Sequence, residues 1–281
     1  MDAKNLIGSN EGLGQILREG EDRVKLLLDC GLECVQLCSF DSTELTKENA
    51  DRVKELFKGR LEISSFWAGW SGPQEWDFID GVHTLGLVPE TYRNMRIAEL
   101  KKGADFAEML GVEDVVTHVG FVPEQPTDPL YRGLKCAVKE VAQYCKDKGL
   151  HFCFETGQET PTTLMRLFND VGLDNIGVNL DPANLIMYGK ANPVDAIDIF
   201  GDRIRSIHVK DGDYPKGDYY KLGEERVVGE GTVNYPVFLP KLLKKGFTRY
   251  LFIEREIKGE QQIIDMKKTV KYVRDLMKDV L

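Results

Sequence analysis

Residues 152–155 read FCFE, and three later runs repeat the same pattern: IGVNLD at 176–181, IRSIH at 204–208 and LFIE at 251–254. Each run is short, predominantly apolar and closed by a side chain that binds metal ions. Such runs are typical of buried strands in a parallel sheet. In a barrel of parallel strands, the side chains at the carboxyl ends converge on one face, so the four closing residues are predicted to meet there.

Apolar and amphipathic runs alternate along the whole chain. The apolar runs predict eight strands, near Leu6–Ser9, Cys34–Ser39, Leu61–Trp67, Asp114–His118, His151–Glu155, Ile176–Asp181, Ile204–Val209 and Tyr250–Glu254. The amphipathic runs predict a helix after each strand, near Leu13–Cys30, Thr46–Phe57, Pro89–Leu110, Pro129–Lys148, Thr162–Val171, Pro193–Phe200, Tyr235–Lys245 and Glu260–Leu281. Eight strand–helix units predict a single α/β domain over residues 1–281, folded as a closed (β/α)8 TIM barrel.

Two connections are unusually long. Residues 68–87 follow the third predicted strand, and residues 210–233 follow the seventh. Both are rich in aromatic residues and would lie at the carboxyl ends of the strands. Long ordered connections in a compact domain usually serve function, so we expect both to cover a ligand.

Composition weighs against several classes of partner. The chain of 281 residues is 42% hydrophobic and 30% charged, with a formal net charge of -9. This charge argues against nucleic acid and against a polybasic membrane patch. No apolar run is long enough to span a bilayer and no signal peptide is evident, which predicts a cytoplasmic protein. Six cysteines without a C-x-x-C pair predict reduced thiols.

The four strand-end residues form a candidate metal site. Glu155, Asp181, His208 and Glu254 supply three carboxylates and one imidazole. Such oxygen-rich sites suit Mn²⁺, Mg²⁺, Co²⁺ or Fe²⁺, whereas structural zinc prefers thiolates. Clustered carboxylates repel one another in a pocket of low dielectric, so we expect a cation between them. An isolated acidic residue at a strand end often caps a helix, but capping does not explain four metal-binding residues on consecutive strands.

Five segments around this site carry a resemblance to a known superfamily. They are FE at 154–155, NLD at 179–181, IHVKD at 207–211, GEGTV at 229–233 and IE at 253–254. The sequence resembles the xylose isomerase-like barrels, which include sugar epimerases, inosose dehydratases and endonuclease IV. The resemblance implies one divalent metal ion, with Mn²⁺ as the first choice, held by Glu155, Asp181, His208 and Glu254. In the ketose 3-epimerases of the superfamily the two matching glutamates are also acid and base, which implies catalytic roles for Glu155 and Glu254.

Two positions depart from the pattern of the ketose 3-epimerases. Asn184 stands three residues after the metal-binding Asp, where those enzymes carry a His. Lys210, Asp211 and Asp213 occupy the stretch where those enzymes use an Arg. The His-x-Lys-Asp form is more similar to the dehydratase and uncharacterised isomerase branches. Lys210 is therefore a candidate catalytic residue that stabilises an enolate or holds a hydroxyl, and the alternative is a structural ion pair with Asp211 or Glu230.

Five residues near the predicted strand ends are candidates for binding substrate. They are Trp67, His118, Asn184, Asp211 and Glu256. His118 either serves the substrate directly or through proton relay, or is a hydrogen-bonded core residue. Trp67 either stacks on a sugar or packs a loop. Glu256 lies on the same side of an extended strand as the metal-binding Glu and either binds a hydroxyl or orients a neighbouring cation.

Three other charged residues are expected to have ordinary roles. Glu159 is predicted to be exposed to solvent or to start the next helix. Arg93 and Arg96 are predicted to be solvated at the surface. Together with the absence of a glycine-rich phosphate loop, this weighs against a phosphorylated sugar. Four histidines are too few for the metal cluster of the nuclease branch.

The leading hypothesis is a divalent-metal-dependent isomerase or epimerase that acts on a sugar or keto-sugar through a metal-stabilised enediolate. The cation would acidify the C–H next to a carbonyl, and two carboxylates would move the proton. The first alternative is a lyase or dehydratase acting on a keto-sugar, an inositol derivative or a 3-keto-glycoside. The second is a non-catalytic sugar-binding or accessory barrel. The expected partner is a small-molecule sugar, and the resemblance implies a homo-oligomer.

Overall fold

Eight parallel strands close into a barrel in a computed structural model that describes residues 5–278 and 280. The barrel strands are β1 (Ile7–Gly12), β2 (Cys34–Ser39), β3 (Glu62–Ala68), β4 (Asp114–Thr117), β5 (His151–Glu155), β6 (Ile176–Leu180), β7 (Ile204–Val209) and β10 (Tyr250–Ile253). Two short strands, β8 (Asp211–Gly212) and β9 (Glu225–Arg226), form an antiparallel hairpin after β7. The barrel closes because β1 pairs with both β2 and β10. This confirms the (β/α)8 TIM barrel predicted from the sequence.

Helices join the strands. They are α1 (Leu13–Glu19), α2 (Glu21–Asp29), α3 (Lys47–Phe57), α4 (Gly81–Thr84), α5 (Glu90–Leu110), α6 (Pro129–Asp147), α7 (Pro161–Val171), α8 (Pro182–Met187), α9 (Pro193–Phe200), α10 (Tyr235–Lys244) and α11 (Glu260–Lys278). A 3₁₀ turn spans Gly201–Arg203. Seven of the eight predicted helices are present within a few residues of their expected bounds. The predicted end of the last helix, Leu281, lies outside the described residues.

The prediction of one helix over Leu13–Cys30 is wrong, because the chain breaks it into α1 and α2 at Gly20. Gly20 has φ 54° and ψ -123°, a conformation that only glycine adopts without strain. Helix α8 was not predicted at all. It is only six residues long and begins directly after β6, so its sequence shows no helical period.

The apolar core lies between the barrel strands and the helices. On α5, Leu100, Ala104 and Ala107 are all fully buried, as their helical spacing predicts. Around the candidate site a smaller apolar cluster includes Trp67 and Trp70. All six cysteines are unpaired. Among the described residues, none of the helices combines the length and the apolar character needed to cross a bilayer.

One buried arginine, Arg96, and one half-buried arginine, Arg93, hold the long connection after β3 in place. Arg96 is fully buried, and its guanidinium donates to the carbonyls of Gly86 at 2.7 Å and Pro73 at 3.1 Å. Burial lowers the pKa of Arg96 to about 10. Arg93 donates to the carbonyl of Leu87 at 2.8 Å. The prediction that both arginines are solvated at the surface is therefore wrong, since they bind backbone carbonyls that the connection leaves without partners.

Candidate metal centre and substrate pocket

The carboxyl ends of four strands bring the four predicted metal ligands together. Glu155 closes β5, Asp181 follows β6, His208 lies near the end of β7 and Glu254 follows β10. One ligand atom from each lies within 4.8 Å of the other three. Nδ1 of His208 is at the centre, 3.1 Å from Oε1 of Glu155, 3.4 Å from Oε2 of Glu254 and 3.7 Å from Oδ2 of Asp181.

The four residues fit a divalent cation. Oxygen and nitrogen ligands bound at about 2.0–2.2 Å lie at most about 4.4 Å apart, close to the spread found among these atoms. Oδ2 of Asp181 is fully buried and has no hydrogen-bond partner among the described residues, as expected for an atom that would bind a metal ion. The three ligand carboxylates outnumber the one adjacent buried ammonium, that of Lys210, so a divalent cation would offset the excess negative charge.

The two glutamates differ from Asp181 in their electrostatic surroundings, since burial raises the pKa of Asp181 to about 6. Burial disfavours the charged form of Glu155, but the positive charges of His118 and His208 hold its pKa well below the ordinary value. Burial also opposes ionisation of Glu254, where the charges of Lys210 and His208 again hold the pKa below the ordinary value. Both glutamates are therefore carboxylates near neutral pH.

His208 is oriented by a residue that the sequence reasoning missed. Its Nε2 lies 2.7 Å from Oε1 of Gln36, while Nε2 of Gln36 donates to Oγ of Ser65 at 3.0 Å. With its amide nitrogen on Ser65, Gln36 turns its oxygen to the ring, where the oxygen can accept from Nε2–H. Nδ1 is then the nitrogen that faces the carboxylates, and it is the atom through which a neutral imidazole would bind a metal. A register shift between Val35 and Gln36 accompanies this inward placement.

Glu155 is held by three of the predicted substrate residues. Nε1–H of Trp67 donates to Oε2 at 2.5 Å, and Nδ2 of Asn184 donates to Oε1 at 3.1 Å. Nε2 of His118 lies 3.4 Å from Oε1. The backbone N–H of Asn184 also donates to Oδ1 of Asp181, so Asn184 links two of the metal ligands.

Glu254 is held by a lysine and by a second residue that sequence reasoning missed. Nδ2 of Asn10, on β1, donates to Oε1 at 3.0 Å. Nζ of Lys210 lies 3.1 Å from Oε2 of Glu254, 2.6 Å from Oε1 of Glu256 and 3.3 Å from Oδ1 of Asn184. These contacts occupy all three ammonium protons. Lys210 therefore pairs with these two glutamates, and the alternative pairing with Asp211 or Glu230 is wrong.

Asp211 does not line the substrate pocket, although it was predicted to bind substrate. Its carboxylate is 1% exposed and accepts hydrogen bonds from the backbone N–H groups of Gly212, Gly229, Gly231 and Val233. A side chain at position 231 would place its Cβ 2.3 Å from Oδ1 of Asp211. Asp211 thus organises the connection between β8 and α10, and the glycine at 231 permits the close approach.

The loop between β5 and α7 contains two buried polar side chains without partners. Glu159 is 2% exposed, and neither of its oxygens has a hydrogen-bond partner among the described residues. Burial raises the pKa of Glu159 to about 7. Gln158 is also 2% exposed, with both amide atoms unpartnered. The prediction that Glu159 is exposed or starts a helix is wrong, since α7 begins at Pro161 with Thr160 as its cap.

A pocket of about 710 Å³ opens above the four candidate ligands. Glu155 and Glu254 lie in its wall, and Trp67, His118, Asn184 and Glu256 also line it. Aromatic and apolar residues complete the wall: Phe40, Trp76, Met187, Tyr188 and Leu222. Glu256 is 60% exposed in its side chain and lies towards solvent. This arrangement is typical of a small-molecule site, because charged groups cluster at the candidate ligands and apolar side chains form much of the remaining wall.

Comparisons with known proteins agree with the fold. The sequence matches the family described as xylose isomerase-like TIM barrel over residues 24–278. A xylose isomerase domain protein from Planctomyces limnophilus is 27% identical, with a TM-score of 0.89 over 100% of this chain and 99% of that chain. No curated protein sequence matches significantly.

More distant structures share the fold alone. An L-ribulose 3-epimerase is 16% identical, with a TM-score of 0.75 over 98% of this chain and 95% of that chain. A xylose isomerase-like TIM barrel protein from Mycobacterium smegmatis, in complex with magnesium, is 16% identical, with a TM-score of 0.71 over 100% and 99% of the two chains. Other matches include further sugar epimerases and a probable dehydratase. The chain belongs to the xylose isomerase-like TIM barrel family.

Proposed function

We propose that this protein is a divalent-metal-dependent isomerase or epimerase that moves a proton next to the carbonyl of a keto-sugar. The observation that carries the proposal is the placement of two ionised glutamates around one ligand cluster. Glu155 and Glu254 both approach Nδ1 of His208, and they come from strands on either side of β7. Two carboxylates so arranged can reach a bound carbon from different sides.

The neighbours of each glutamate support separate roles for the two carboxylates. Glu155 receives hydrogen bonds from Trp67 and Asn184, and Glu254 receives them from Asn10 and Lys210. The two glutamates have no donor in common. The two sets of donors are linked only where Lys210 donates to Asn184. Each carboxylate is thus held in position by its own donors, while both also contact Nδ1 of His208.

Catalysis would divide between the cation and the side chains. A divalent ion held by Glu155, Asp181, His208 and Glu254, with Mn²⁺ as the first choice, would polarise the substrate carbonyl and acidify the adjacent C–H. One glutamate would take the proton from that carbon, and the other would return a proton to the opposite face or to the neighbouring carbon. General acid–base catalysis of this kind contributes about 10²–10⁴-fold. Lys210 would act by holding Glu254, because its three protons are already engaged.

A lyase or dehydratase that uses the same site is the second candidate. His118 lines the pocket beside Glu155, and its Nδ1 has no hydrogen-bond partner among the described residues. A ring nitrogen in that place could protonate a leaving hydroxyl after a glutamate has removed the proton from the neighbouring carbon. The substrate would then lose water. The probable dehydratase among the structural matches has the same fold and leaves this candidate open.

Proton NMR in D₂O separates these functions. The Mn²⁺-loaded protein would be incubated with a panel of keto-sugars, and the bound manganese removed before spectra are recorded. An isomerase or epimerase exchanges one substrate C–H for deuterium without loss of water, whereas a lyase gives an unsaturated or deoxy product. A sugar-binding barrel does neither. Glu155→Gln and Glu254→Gln should each reduce turnover at least 100-fold, while Glu140→Gln, on the exposed face of α6, should not.

Full activity in both site variants, with undiminished metal content, would refute the roles given to the two glutamates. Exchange at no carbon of any sugar in the panel, with metal bound, would favour the binding barrel. A cytoplasmic location, a single domain over residues 1–281 and a homo-oligomer stay predictions that these experiments do not address.

A further inference from the structure

The carboxylate of Glu254 belongs to a segment that has no regular secondary structure. Residues 254–258 follow β10 and precede α11 without helical or strand geometry. The backbone N–H of Glu254 donates to the carbonyl of Val209 at 3.3 Å, which is long for such a bond. Glu155 and His208, by contrast, lie inside the strand ladder. Glu254 therefore needs further contacts if its carboxylate is to keep a fixed place at the candidate metal centre.

Arg255, the next residue, ties this segment to two different elements. Its Nε donates to Oδ2 of Asp265 on α11 at 2.9 Å, and its Nη1 lies 3.0 Å from Oε1 of Glu225 on β9. The side chains of Arg255, Asp265 and Glu225 are 14%, 1% and 11% exposed. We call these three residues the Arg255 clamp. Because water screens these pairs little and the guanidinium is planar, the clamp fixes both the distance and the direction of its contacts.

The clamp also holds the backbone of the segment. The N–H of Glu256 lies 3.3 Å from both carboxylate oxygens of Glu225, and the carbonyl of Arg255 accepts from Nε2 of Gln262 at 2.8 Å. Glu225 thus receives the side chain of one residue and the backbone of the next. Polar contacts from β9 and α11 therefore fix the two residues that directly follow Glu254.

The side chain of Arg255 lies away from the place where substrate would react. Successive side chains of an extended segment point to opposite sides. Glu254 and Glu256 line the large pocket, whereas Arg255 lines a smaller cavity of about 170 Å³ on which Glu254 also borders. Arg255 is therefore placed to act on the reaction through Glu254 rather than by contact with substrate.

The hairpin that carries Glu225 also reaches the substrate pocket. Gly212 on β8 pairs with Glu225 on β9, and Leu222, three residues before Glu225, lines the pocket. The N–H of Gly223 donates to the carbonyl of Met187, another pocket residue, at 2.9 Å. The same short hairpin therefore borders the pocket at one end and holds the segment of a metal ligand at the other.

We infer, on the basis of the proposed function, that Arg255 and Glu225 are positioning residues for Glu254, which place its carboxylate at the metal centre and at the substrate carbon without touching either. Loss of either side chain frees residues 254–258, so Glu254 binds the metal ion less well and is less often in position to move a proton. A misplacement of about 1 Å at such a group can cost about 10²-fold in rate.

Titration of Mn²⁺ into the metal-free protein separates positioning from a simple effect of charge. Arg255→Met removes a positive charge near the metal centre, so charge alone would tighten Mn²⁺ binding. Glu225→Gln removes a negative charge, so charge alone would weaken it. Positioning predicts that both variants weaken Mn²⁺ binding by about tenfold or more, as is typical for residues that orient metal ligands. The visible absorption of bound Co²⁺ should also change in both variants, because it depends on the geometry of the ligands.

Arg205→Met is the matched control. Arg205 pairs with Asp114 at 2.5 Å near the amino-terminal ends of the strands, and the two side chains are 15% and 1% exposed, as in the Arg255–Asp265 pair. The control should lower the urea midpoint and leave the Mn²⁺ dissociation constant within about twofold. Clamp variants that behave like this control would show a role in stability alone, and tighter Mn²⁺ binding in Arg255→Met would show an effect of charge. Either result would overturn the inference.

Deuterium exchange into the keto-sugar panel tests the proposed function on the same preparations. Weaker Mn²⁺ binding in both clamp variants, without exchange by the wild type, would keep the positioning role and reject the isomerase. Exchange by the wild type, with the same Mn²⁺ affinity, Co²⁺ absorption and exchange rate in both variants, would keep the isomerase and reject the positioning role. A wild-type chain that binds no Mn²⁺ would reject both.

Discussion

Nε2 of His208 lies 2.7 Å from Oε1 of Gln36, and this contact determines which nitrogen of the ring faces the carboxylates. The two residues are on β7 and β2, far apart in the chain and on well-separated strands of the barrel. When Nδ1 binds a metal, Nε2 carries the ring proton, and the oxygen of Gln36, whose nitrogen contacts Ser65, accepts it. A histidine held this way presents Nδ1 to a metal without any rearrangement.

Replacement of Gln36 should weaken metal binding while leaving every ligand in place. Gln36→Leu removes the acceptor for Nε2–H, so the ring loses both its orientation and its preferred tautomer. Such partners typically contribute 10–100-fold to metal affinity. We expect the Mn²⁺ dissociation constant, measured by isothermal titration, to rise by that factor. Gln143→Leu, on the exposed face of α6, serves as the control, and an unchanged dissociation constant in Gln36→Leu would contradict the orienting role.

Lys210 should be required for turnover but not for metal binding. Lys210→Met removes the buried ammonium that holds Glu254. Glu254 and Glu256 then lose the positive charge that both of them contact. We expect kcat to fall about 100-fold or more and the free energy of unfolding to fall by about 3–5 kcal/mol, as for other buried pairs that lose one partner. Metal affinity should stay equal or increase, because a positive charge next to the site is lost.

Glu256→Gln provides the comparison for Lys210, since this partner is largely exposed and should contribute less than about 1 kcal/mol to stability. Steady-state kinetics, urea unfolding and metal titration on the same preparations separate the three effects. A Lys210→Met variant with kcat within twofold of the wild type would show that the lysine does not position Glu254 for catalysis.

Asp211 should matter for the connection after β7 and not for the chemistry. Asp211→Ala removes the acceptor of four backbone hydrogen bonds, which should cost about 1–3 kcal/mol and expose residues 212–233 to protease. Limited proteolysis with mass spectrometry would locate the new cleavage sites. Asp218→Ala, in the same connection but half or more exposed, is the control. Cleavage confined to other parts of the barrel would argue against this role.

The stability of the protein should depend on pH through Glu159. Burial raises the pKa of Glu159 to about 7, against an ordinary value of 4.5. The folded state therefore keeps a proton that the unfolded chain has released, and the contribution of Glu159 to stability falls as the pH rises from about 4.5 to 7. Because one pKa unit corresponds to about 1.36 kcal/mol, the full loss in the free energy of unfolding is about 3 kcal/mol.

Glu159→Gln cannot ionise, so it should gain stability relative to the wild type as the pH rises. Urea unfolding of both proteins at pH 5 and pH 8, with the same divalent ion present, measures the difference. We expect the variant to become more stable relative to the wild type by up to about 3 kcal/mol between these values. A difference that is the same at both pH values would mean that Glu159 ionises normally in the folded protein.

Much of the fold and the central part of the site followed from the sequence. The closing residues of β5, β6, β7 and β10 were predictable because a parallel barrel sends its strand ends to one face, so local patterns determine a distant meeting point. Asp181 and Glu254 are 73 positions apart in the chain and yet belong to one cluster. Periodicity, however, could not reveal the break at Gly20 or the six-residue helix α8.

The supporting residues were missed for a different physical reason. Gln36 is a polar residue between apolar ones in β2, and Asn10 lies between Ser9 and Glu11 in β1; neither local sequence indicates the partner of the side chain. Glu159 was expected to be exposed because acidic residues in loops usually are, and nothing in the local sequence reports burial by neighbouring elements. Asp211 was adjacent to a predicted catalytic lysine, but its side chain faces the glycine-rich turn at 229–233. A polar residue inside an apolar strand was the available signal for Gln36.

The most direct test of the account is an isothermal titration calorimetry experiment in which Mn²⁺ is added to the metal-free protein. It is carried out on the wild type and on His208→Ala. The four-residue site predicts one Mn²⁺ bound per chain and a loss of affinity of at least 100-fold in the variant, with circular dichroism unchanged. A wild-type chain that binds no divalent ion, or a His208→Ala variant that binds Mn²⁺ as tightly as the wild type, would contradict the central claim that these side chains form a metal centre.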